Sequence, residues 1–327
     1  MRAVWYERTG PAEDVLTFGE QPTPRAAPGQ VRVRLAASGV NPSDCGRRAG
    51  AGNVAMEAPL VIPNSDGAGV VDEIGEGVAA NWLGRRVWLY NGQRGGRAFG
   101  TAAEWIALDA GLVTVLPDEV SFAAGACLGI PCMTAHCAVF AGGPVAGKTV
   151  LVTGGGGAVG NYAVQLAAWA GARVIATASG DKAGDARRAG AEVVLDHRTG
   201  DVRACIAAQT AGEGVDHVVE VDFGGNLSGL PDIVANNGTV AAYASRGDPH
   251  PRFPFYELMR KNVGIHLILL NNLDLAKRLW AQADITRWLH GGPRCHRVVG
   301  PFGLADTALA HRTVEAGGKR GTVVVTI

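Results

Sequence analysis

The chain of 327 residues is longer than one hydrophobic core usually serves, so its length predicts two domains. Apolar residues make up 47% and charged residues 18%, which is typical of folded proteins and argues against disorder. Lys plus Arg and Asp plus Glu number 30 each, and this balance argues against a nucleic-acid partner.

The N-terminus, MRAVWYERTG, is charged and has no apolar stretch, which argues against a secretory signal. Two segments without acidic or basic residues, 120–147 and 149–172, are interrupted by glycines and are interpreted as buried core rather than membrane spans. We therefore expect a cytoplasmic protein without a membrane segment.

The six cysteines form no CxxC pair and no structural-zinc spacing, which fits a reducing compartment. Cys127, Cys132 and Cys137 lie in an apolar stretch and are interpreted as small buried hydrophobic residues.

Residues 1–122 predict short strands separated by turns. The stretch 31–35, VRVRL, alternates as a half-buried strand does. Further strands are predicted at 70–74, 86–89 and 103–107.

From residue 122 onward the pattern predicts strands that alternate with helices. A helical stretch at 122–140 is interrupted at Gly129-Ile130-Pro131. The elements that follow are strands at 149–152, 173–177, 193–195, 215–221 and 239–243 and helices at 157–170, 181–189, 202–210 and 227–235. This alternation predicts a parallel, doubly wound sheet, the Rossmann arrangement.

Beyond Gly264 the sequence predicts a strand, helices at 273–288 and 304–315, and a closing strand at 322–327. The closing strand needs a partner, and the β-rich first part is the nearest candidate. The predicted fold is α/β, with a Rossmann domain (123–264) inserted in a discontinuous β-rich domain (1–122 and 265–327).

The loop LVTGGGGAVG, residues 151–160, lies between a predicted buried strand and a helix. It can be read as Gly154-x-x-Gly157-x-x-Gly160 or as Gly155-x-Gly157-x-x-Gly160. Glycines there let a pyrophosphate approach the N–H groups of the helix N-terminus, so the context favours a dinucleotide site. The alternative is a turn that serves only the packing of strand and helix.

An Asp or Glu at the end of the second strand would indicate NAD. This chain has Thr177-Ala178-Ser179-Gly180 there, and Asp181 is interpreted as the N-cap of the next helix. Small polar residues leave room for a 2′-phosphate, and Lys182, His197 and Arg198 supply positive charge. NADP is favoured over NAD, although each basic residue alone is compatible with a simple surface charge.

Several motifs resemble one family across the chain. GVNPSD at 39–44 and NSDGAGVV at 64–71 resemble the medium-chain dehydrogenase/reductase superfamily. Ile130-Pro131, Met133-Thr134-Ala135, the glycine loop and Gln165 resemble the zeta-crystallin-like quinone oxidoreductases. The resemblance implies a GroES-like substrate domain, a Rossmann domain, NADPH as cofactor, and a homodimer or homotetramer.

The resemblance also implies a set of cofactor contacts in this chain. They are, at the pyrophosphate, Gly156, Gly157, Ala158 and Val159; at the adenosine phosphate, Ser179, Lys182 and His197; along the groove, Asn226, Tyr243, Ser245, Arg246, Leu267 and Leu269; and beside the nicotinamide, Asn41 and Thr134. Asn226 is equally readable as an N-cap of the next helix.

Zinc-dependent relatives have Cys at the position of Asn41 and Gly-His-Glu at the positions of Asn64-Ser65-Asp66, so we expect a zinc-independent enzyme. Many relatives also have two tyrosines where this chain has Gly46 and residues 49–52, which predicts a wider substrate pocket. Ala158 replaces a common Gly, and its methyl group should be tolerated.

The predicted reaction is hydride transfer from NADPH to a quinone or to the β-carbon of an enone. Asn41, Ser43 and Arg48 are candidate donors that would stabilise charge on the acceptor oxygen, with water as a source of the proton. Asp44 is interpreted as a cap of the next turn.

Two alternatives remain. An enoyl-thioester reductase would need a basic patch, for which Arg47-Arg48 and residues 94–97 give weak support. A non-enzymatic structural or RNA-binding role is known among relatives, but the balanced charge argues against RNA.

Overall fold

The structure is a computed structural model, and it describes residues 1–53, 55–56, 58–292 and 294–327. The chain forms two compact units. The first unit is discontinuous, with Met1–Pro131 and Gln282–Ile327, and the second is Cys132–Ala281. The sequence analysis predicts the two boundaries between the domains after residues 122 and 264.

The described strands, in chain order, are β1 (Arg2–Trp5), β2 (Thr17–Glu20), β3 (Gln30–Val40), β4 (Asp66–Ile74), β5 (Arg86–Leu89), β6 (Trp105–Asp109), β7 (Val113–Val115), β8 (Thr149–Val152), β9 (Arg173–Thr177), β10 (Val193–Leu195), β11 (Val215–Glu220), β12 (Val234–Ala242), β13 (Gly264–Leu267), β14 (Val298–Gly303) and β15 (Thr322–Thr326). The described α-helices are α1 (Ala12–Val15), α2 (Pro42–Ala49), α3 (Phe122–Gly125), α4 (Met133–Val139), α5 (Ala158–Trp169), α6 (Lys182–Arg188), α7 (Val202–Gln209), α8 (Phe223–Asn226), α9 (Leu230–Ile233), α10 (Phe255–Arg260), α11 (Leu275–His290) and α12 (Thr307–Glu315).

A largely antiparallel sheet forms the first unit. Its strand order is β14-β15-β3-β4-β5-β7, and β6 pairs with β3 on the side of this path. The closing strand β15 lies antiparallel to β3, with Val323 opposite Val40. The prediction that the closing strand pairs with the β-rich first part is therefore confirmed.

A six-stranded parallel sheet forms the second unit. Its order is β10-β9-β8-β11-β12-β13, so the chain starts in the middle at β8, runs to one edge, and then returns to β11. This confirms the predicted doubly wound sheet. The point between β8 and β11, where the order reverses, is where such sheets bind ligands at the carboxyl ends of their strands. β13, which begins at Gly264, is an edge strand of this sheet.

The predicted helix at 227–235 is confirmed only in part, because it is not continuous and ends at Ile233. In its place the chain has α8, a 3₁₀ turn at Leu227–Gly229, and the single-turn helix α9, and Val234 already begins β12. Val234 is fully buried opposite Val215 of β11, so sheet pairing determines its conformation. Gly229 and Pro231 also interrupt a continuous helix.

Cys127 and Cys132 are buried and Cys137 is half-buried, which agrees with their interpretation as small apolar residues. Burial raises the pKa of the Cys127 thiol to about 12, so this thiol is unreactive at neutral pH. Within the described ranges, no helix combines the length and apolar character needed to cross a membrane.

Candidate functional site

The glycine loop connects β8 to α5 at the reversal point of the parallel sheet. Gly154 has a φ of +67°, a conformation that glycine adopts without strain. A Cβ at Gly160 would lie 2.2 Å from the carbonyl oxygen of Gly154, and one at Gly156 would lie 2.6 Å from that of Lys182. Packing therefore requires Gly156 and Gly160, and it brings the turn close against α5 and α6.

Gly157 is the N-cap residue of α5, and a Cβ there would meet the Gly154 carbonyl oxygen only at 3.2 Å. The N–H groups in the first turn of α5 have no acceptor within the helix. They lie at the carboxyl end of β8, next to the reversal point, so the loop fits a pyrophosphate.

The structure brings most of the predicted cofactor residues to one edge of this sheet, because each group follows the carboxyl end of a parallel strand. These are Gly156 to Val159 after β8, Ser179 and Lys182 after β9, His197 after β10, Asn226 after β11, Tyr243, Ser245 and Arg246 after β12, and Leu267 and Leu269 at the end of β13. Thr134 lies in α4 of the same unit and is buried, and Asn41 belongs to the first unit.

A cavity of about 440 Å³ opens at the reversal point, and we call it the switch-point cavity. Its lining residues are Leu151, Thr153, Gly154, Thr177, His197, Val202, Arg203, Glu220, Val221, Asp222, Gly225, Asn226, Ser228, Gly229 and Ile233. The sequence singled out His197, Asn226 and the glycine loop but missed Glu220. The available signal was the position of Glu220, an acidic residue directly after two valines of a buried strand.

The sequence interpreted Asp181 as an N-cap residue and left this role open for Asn226, and the structure tests both positions. Asp181 does occupy the N-cap position of α6, but its side chain makes no capping hydrogen bond. Asn226 precedes a 3₁₀ turn without capping it; its Nδ2 instead donates to Glu220 Oε1 at 2.8 Å.

In the first unit, polar side chains gather at the start of α2; we call Asn41, Ser43, Asp44, Ser65, Asp66 and Arg94 the Asn41 cluster. The Asp44 carboxylate accepts from the backbone N of Asn41 at 2.8 Å, which confirms its interpretation as a cap. It also accepts from Ser65 Oγ at 2.6 Å and from Arg94 Nη2 at 2.9 Å.

Asn41 and Asp66 form a direct pair inside this cluster. Asn41 Nδ2 donates to Asp66 Oδ2 at 2.7 Å, and the backbone N of Ile130 donates to the same oxygen at 2.8 Å. The other oxygen, Oδ1, has no hydrogen-bond partner among the described residues and packs against Gly129. Burial raises the pKa of Asp66 well above its usual value, because the ionised carboxylate would lose its hydration there.

Arg94 fixes the role of the Ser43 hydroxyl. Arg94 Nη2 donates to Ser43 Oγ at 2.9 Å, and a guanidinium cannot accept a hydrogen bond. The hydroxyl must therefore accept from Arg94, and its own hydrogen is left to donate elsewhere. Arg94 lies in the loop NGQRGGR, which carries no pattern that predicts this contact.

Arg48, the third predicted donor, lies elsewhere. Its guanidinium is buried and donates to the carbonyl oxygen of Gly10 and the carboxylate of Glu315, neither of which belongs to the Asn41 cluster. Arg48 and Arg94 are 1% and 2% exposed. The basic surface patch considered for an enoyl-thioester substrate is therefore wrong at these two positions, because both charges are used in internal ion pairs.

The residues at the expected zinc positions do not fit a catalytic zinc ion, which needs about three protein ligands. The carboxyl of Asp66 is bonded to Asn41, and Asn64 donates to Ser38 Oγ at 3.0 Å and lies 2.9 Å from His311 Nε2. In the part of the chain that the structure describes, no group of three His, Cys, Asp or Glu side chains could hold a metal ion.

Comparisons with known proteins match both units. Residues 27–118 match the alcohol dehydrogenase GroES-like domain family, and residues 158–284 match the zinc-binding dehydrogenase family. The quinone oxidoreductase of Sus scrofa is 30% identical over 309 residues, which cover 90% of this chain and 88% of that protein. The chloroplastic NADPH-dependent alkenal/one oxidoreductase of Arabidopsis thaliana is 28% identical, over 99% of this chain and 79% of its own.

A solved structure agrees with these matches. The mycobacterial protein Rv1454c, determined in complex with NADPH, superposes with a TM-score of 0.86 at 28% identity, over the full length of both chains. The sequence matches and the shared two-unit fold lead to one conclusion. The chain belongs to the medium-chain dehydrogenase/reductase superfamily, as an oxidoreductase of the zeta-crystallin-like quinone oxidoreductase family.

Proposed function

We propose that this protein transfers a hydride from NADPH to a small quinone or to the β-carbon of an enone, without zinc. The observation that carries the proposal is the glycine loop at the reversal point, together with the absence of an acid among residues 177–180. NADPH, when bound, supplies the hydride, and the protein supplies position and electrostatics.

The preference for NADPH over NADH is supported by the last residue of β9 and by the residues that follow this strand. Thr177 Oγ1 accepts from the backbone N of Gly154 at 3.0 Å, so this side chain serves the loop. Ser179 and Lys182 then offer a hydroxyl and an ammonium group to a 2′-phosphate, and His197 follows the neighbouring strand β10.

The acceptor oxygen gains negative charge as the hydride arrives, and hydrogen-bond donors stabilise it. We assign this role to Asn41 and Ser43, with Arg94 rather than Arg48 behind the serine. The names of two relatives, a quinone oxidoreductase and an alkenal/one oxidoreductase, support the same pair of acceptor classes. Both acceptors are electron-poor conjugated carbonyls.

We also propose that the first unit is the substrate domain, that the second binds the cofactor, and that the protein forms a homodimer or homotetramer. β13 is an edge strand of the parallel sheet, and Leu267 at its end is 75% exposed. Helix α10 adds the exposed side chains of Phe255, Tyr256 and Met259 to the same unit. An apolar sheet edge of this kind is typically covered by another chain.

The test follows NADPH absorbance at 340 nm with EDTA-treated protein. Acceptors are 1,4-benzoquinone, 9,10-phenanthrenequinone, a simple enone and crotonyl-CoA, and NADH is the alternative donor. We expect oxidation of NADPH by a quinone or the enone, with little loss after EDTA. Turnover of crotonyl-CoA alone would support the enoyl-thioester alternative, and binding without any turnover would contradict the proposed reaction.

A further inference from the structure

We infer that Glu220 is a positioning residue of the switch-point cavity, which turns the carbonyl oxygen of Asn226 toward a hydrogen-bond donor on the adenosine half of the cofactor. This inference rests on the proposed use of NADPH. It concerns how the cavity selects its ligand rather than the hydride transfer.

Glu220 collects donors from both sides of the reversal point. It ends β11 and is fully buried. Its Oε1 accepts from the backbone N of Asp222 at 2.6 Å and from Asn226 Nδ2 at 2.8 Å, and it lies 3.0 Å from the hydroxyl of Thr153, which begins the glycine loop. One carboxyl oxygen thus joins the loop after β8 to the loop after β11.

These contacts determine which atom Asn226 presents to a ligand. The backbone N–H of Asp222 can only donate, so Glu220 Oε1 is an acceptor whether the carboxyl is neutral or ionised. Of the two polar atoms of the Asn226 amide, only the nitrogen can donate a hydrogen bond to this oxygen. The carbonyl oxygen Oδ1 of this exposed side chain is therefore the atom left to face the cavity, and it accepts hydrogen bonds.

An acceptor at this position suits the adenosine half and disfavours a phosphate. The cavity combines apolar side chains of Leu151, Val202 and Ile233 with Thr177, which ends β9, and His197, which follows β10. Apolar walls suit an aromatic base. The donor for Asn226 is either the exocyclic amino group of adenine or a ribose hydroxyl.

The second oxygen of Glu220 makes the inference testable. Oε2 has no hydrogen-bond partner among the described residues, so its replacement by an amide nitrogen removes no contact. Glu220→Gln keeps an acceptor at the position of Oε1. Glu220→Asp keeps a carboxyl group but withdraws it by one methylene from Asn226.

The experiment measures dissociation constants for NADPH and for its hypoxanthine analogue, which lacks the adenine amino group, by fluorescence titration of the purified protein without any acceptor. The proteins are the wild type, Glu220→Gln, Glu220→Asp, Asn226→Ala and the double variant Glu220→Asp/Asn226→Ala. Thermal unfolding without cofactor checks that each variant is folded.

We expect Glu220→Gln to bind NADPH like the wild type, and Glu220→Asp and Asn226→Ala each to bind it about three- to tenfold more weakly. The double variant should be no weaker than Asn226→Ala alone, because both changes remove the same contact. If adenine is the donor, the wild type prefers NADPH over the analogue and both single variants lose this preference. If a ribose hydroxyl is the donor, the two ligands weaken together.

Opposite behaviour of the two conservative variants, with Glu220→Asp normal and Glu220→Gln weak, would overturn the inference, because charge rather than position would then matter. Additive losses in the double variant would overturn it as well. A wild-type protein that binds neither ligand would overturn the proposed function, whereas tight NADPH binding with unaffected variants would overturn the inference about Glu220 alone.

Discussion

At the scale of single residues, the buried acid Asp66 has a consequence for stability. Its folded-state pKa is raised, mainly by burial, while the unfolded chain has an ordinary aspartate. Between these two pKa values the folded protein holds a proton that the unfolded chain releases. The free energy of unfolding therefore falls as the pH rises through this window, by up to about 1.4 kcal/mol per pH unit.

Asp66→Asn should remove this pH dependence, because an amide oxygen can accept from Asn41 and Ile130 while the amide nitrogen replaces the unpaired Oδ1. We expect the stability of the variant relative to the wild type to increase from pH 4.5 to pH 8, by up to about 1.4 kcal/mol per pH unit. Urea unfolding at both pH values measures this. The opposite result would be a stability difference, variant minus wild type, that is lower at pH 8 than at pH 4.5. It would show that Asp66 is ionised in the folded state.

The residue scale also shows what sequence patterns can reveal. Asp44 stands three positions after Asn41 at the start of a helix, so its capping role depends on local spacing and is predictable. Arg94 contacts Ser43 and Asp44, which lie 51 and 50 residues earlier in the chain, and no local pattern encodes these contacts. Arg48 was chosen for its charge, but its charge is neutralised by Glu315.

At the scale of elements, the glycine loop separates packing from cofactor binding. Gly160→Ala places a Cβ 2.2 Å from the Gly154 carbonyl oxygen, so α5 must move away from the loop. We expect a loss of about 1–3 kcal/mol in the free energy of unfolding and much weaker NADPH binding. Urea unfolding and fluorescence titration measure the two effects.

Gly157→Ala is the matched control. Its Cβ would meet the same oxygen at 3.2 Å, and Gly157 has a φ of −82°, which alanine adopts readily. We expect a much smaller loss of stability than in Gly160→Ala, so that a large loss of NADPH affinity in this variant reports on the ligand-facing side of the loop. A variant as unstable as Gly160→Ala would contradict the assignment of the packing role to Gly160.

Elements differ in how well the sequence predicts them. The predicted strands 86–89 and 149–152 coincide with β5 and β8. Short apolar runs that are bounded by turn-forming residues are compatible with few other secondary structures. The segment 227–235 also contains helix-forming residues, but from Val234 onward the chain belongs to β12 of the six-stranded parallel sheet. Tertiary pairing with β11 overrides the local preference there.

At the scale of the whole molecule, we predict that the chain associates through the edge of its parallel sheet. Leu267→Lys places a charge at the exposed end of β13 and should shift the protein to a monomer, as measured by size-exclusion chromatography with light scattering. Leu83→Lys, at a residue of the first unit that is 57% exposed, is the control and should leave the mass unchanged. A wild-type monomer, or a Leu267→Lys variant with unchanged mass, would contradict this interface.

The sequence by itself determined the family, the doubly wound parallel sheet, the return of the last strand to the β-rich part, and the glycine loop. These features depend on periodicity and on short motifs, which are local properties of the chain. Only the tertiary structure decided that Arg94 supports Ser43, that Arg48 is used in a separate ion pair, and that Glu220 joins two loops at the reversal point. Such contacts join residues that are distant in the chain, and their geometry is set by how the strands and loops pack.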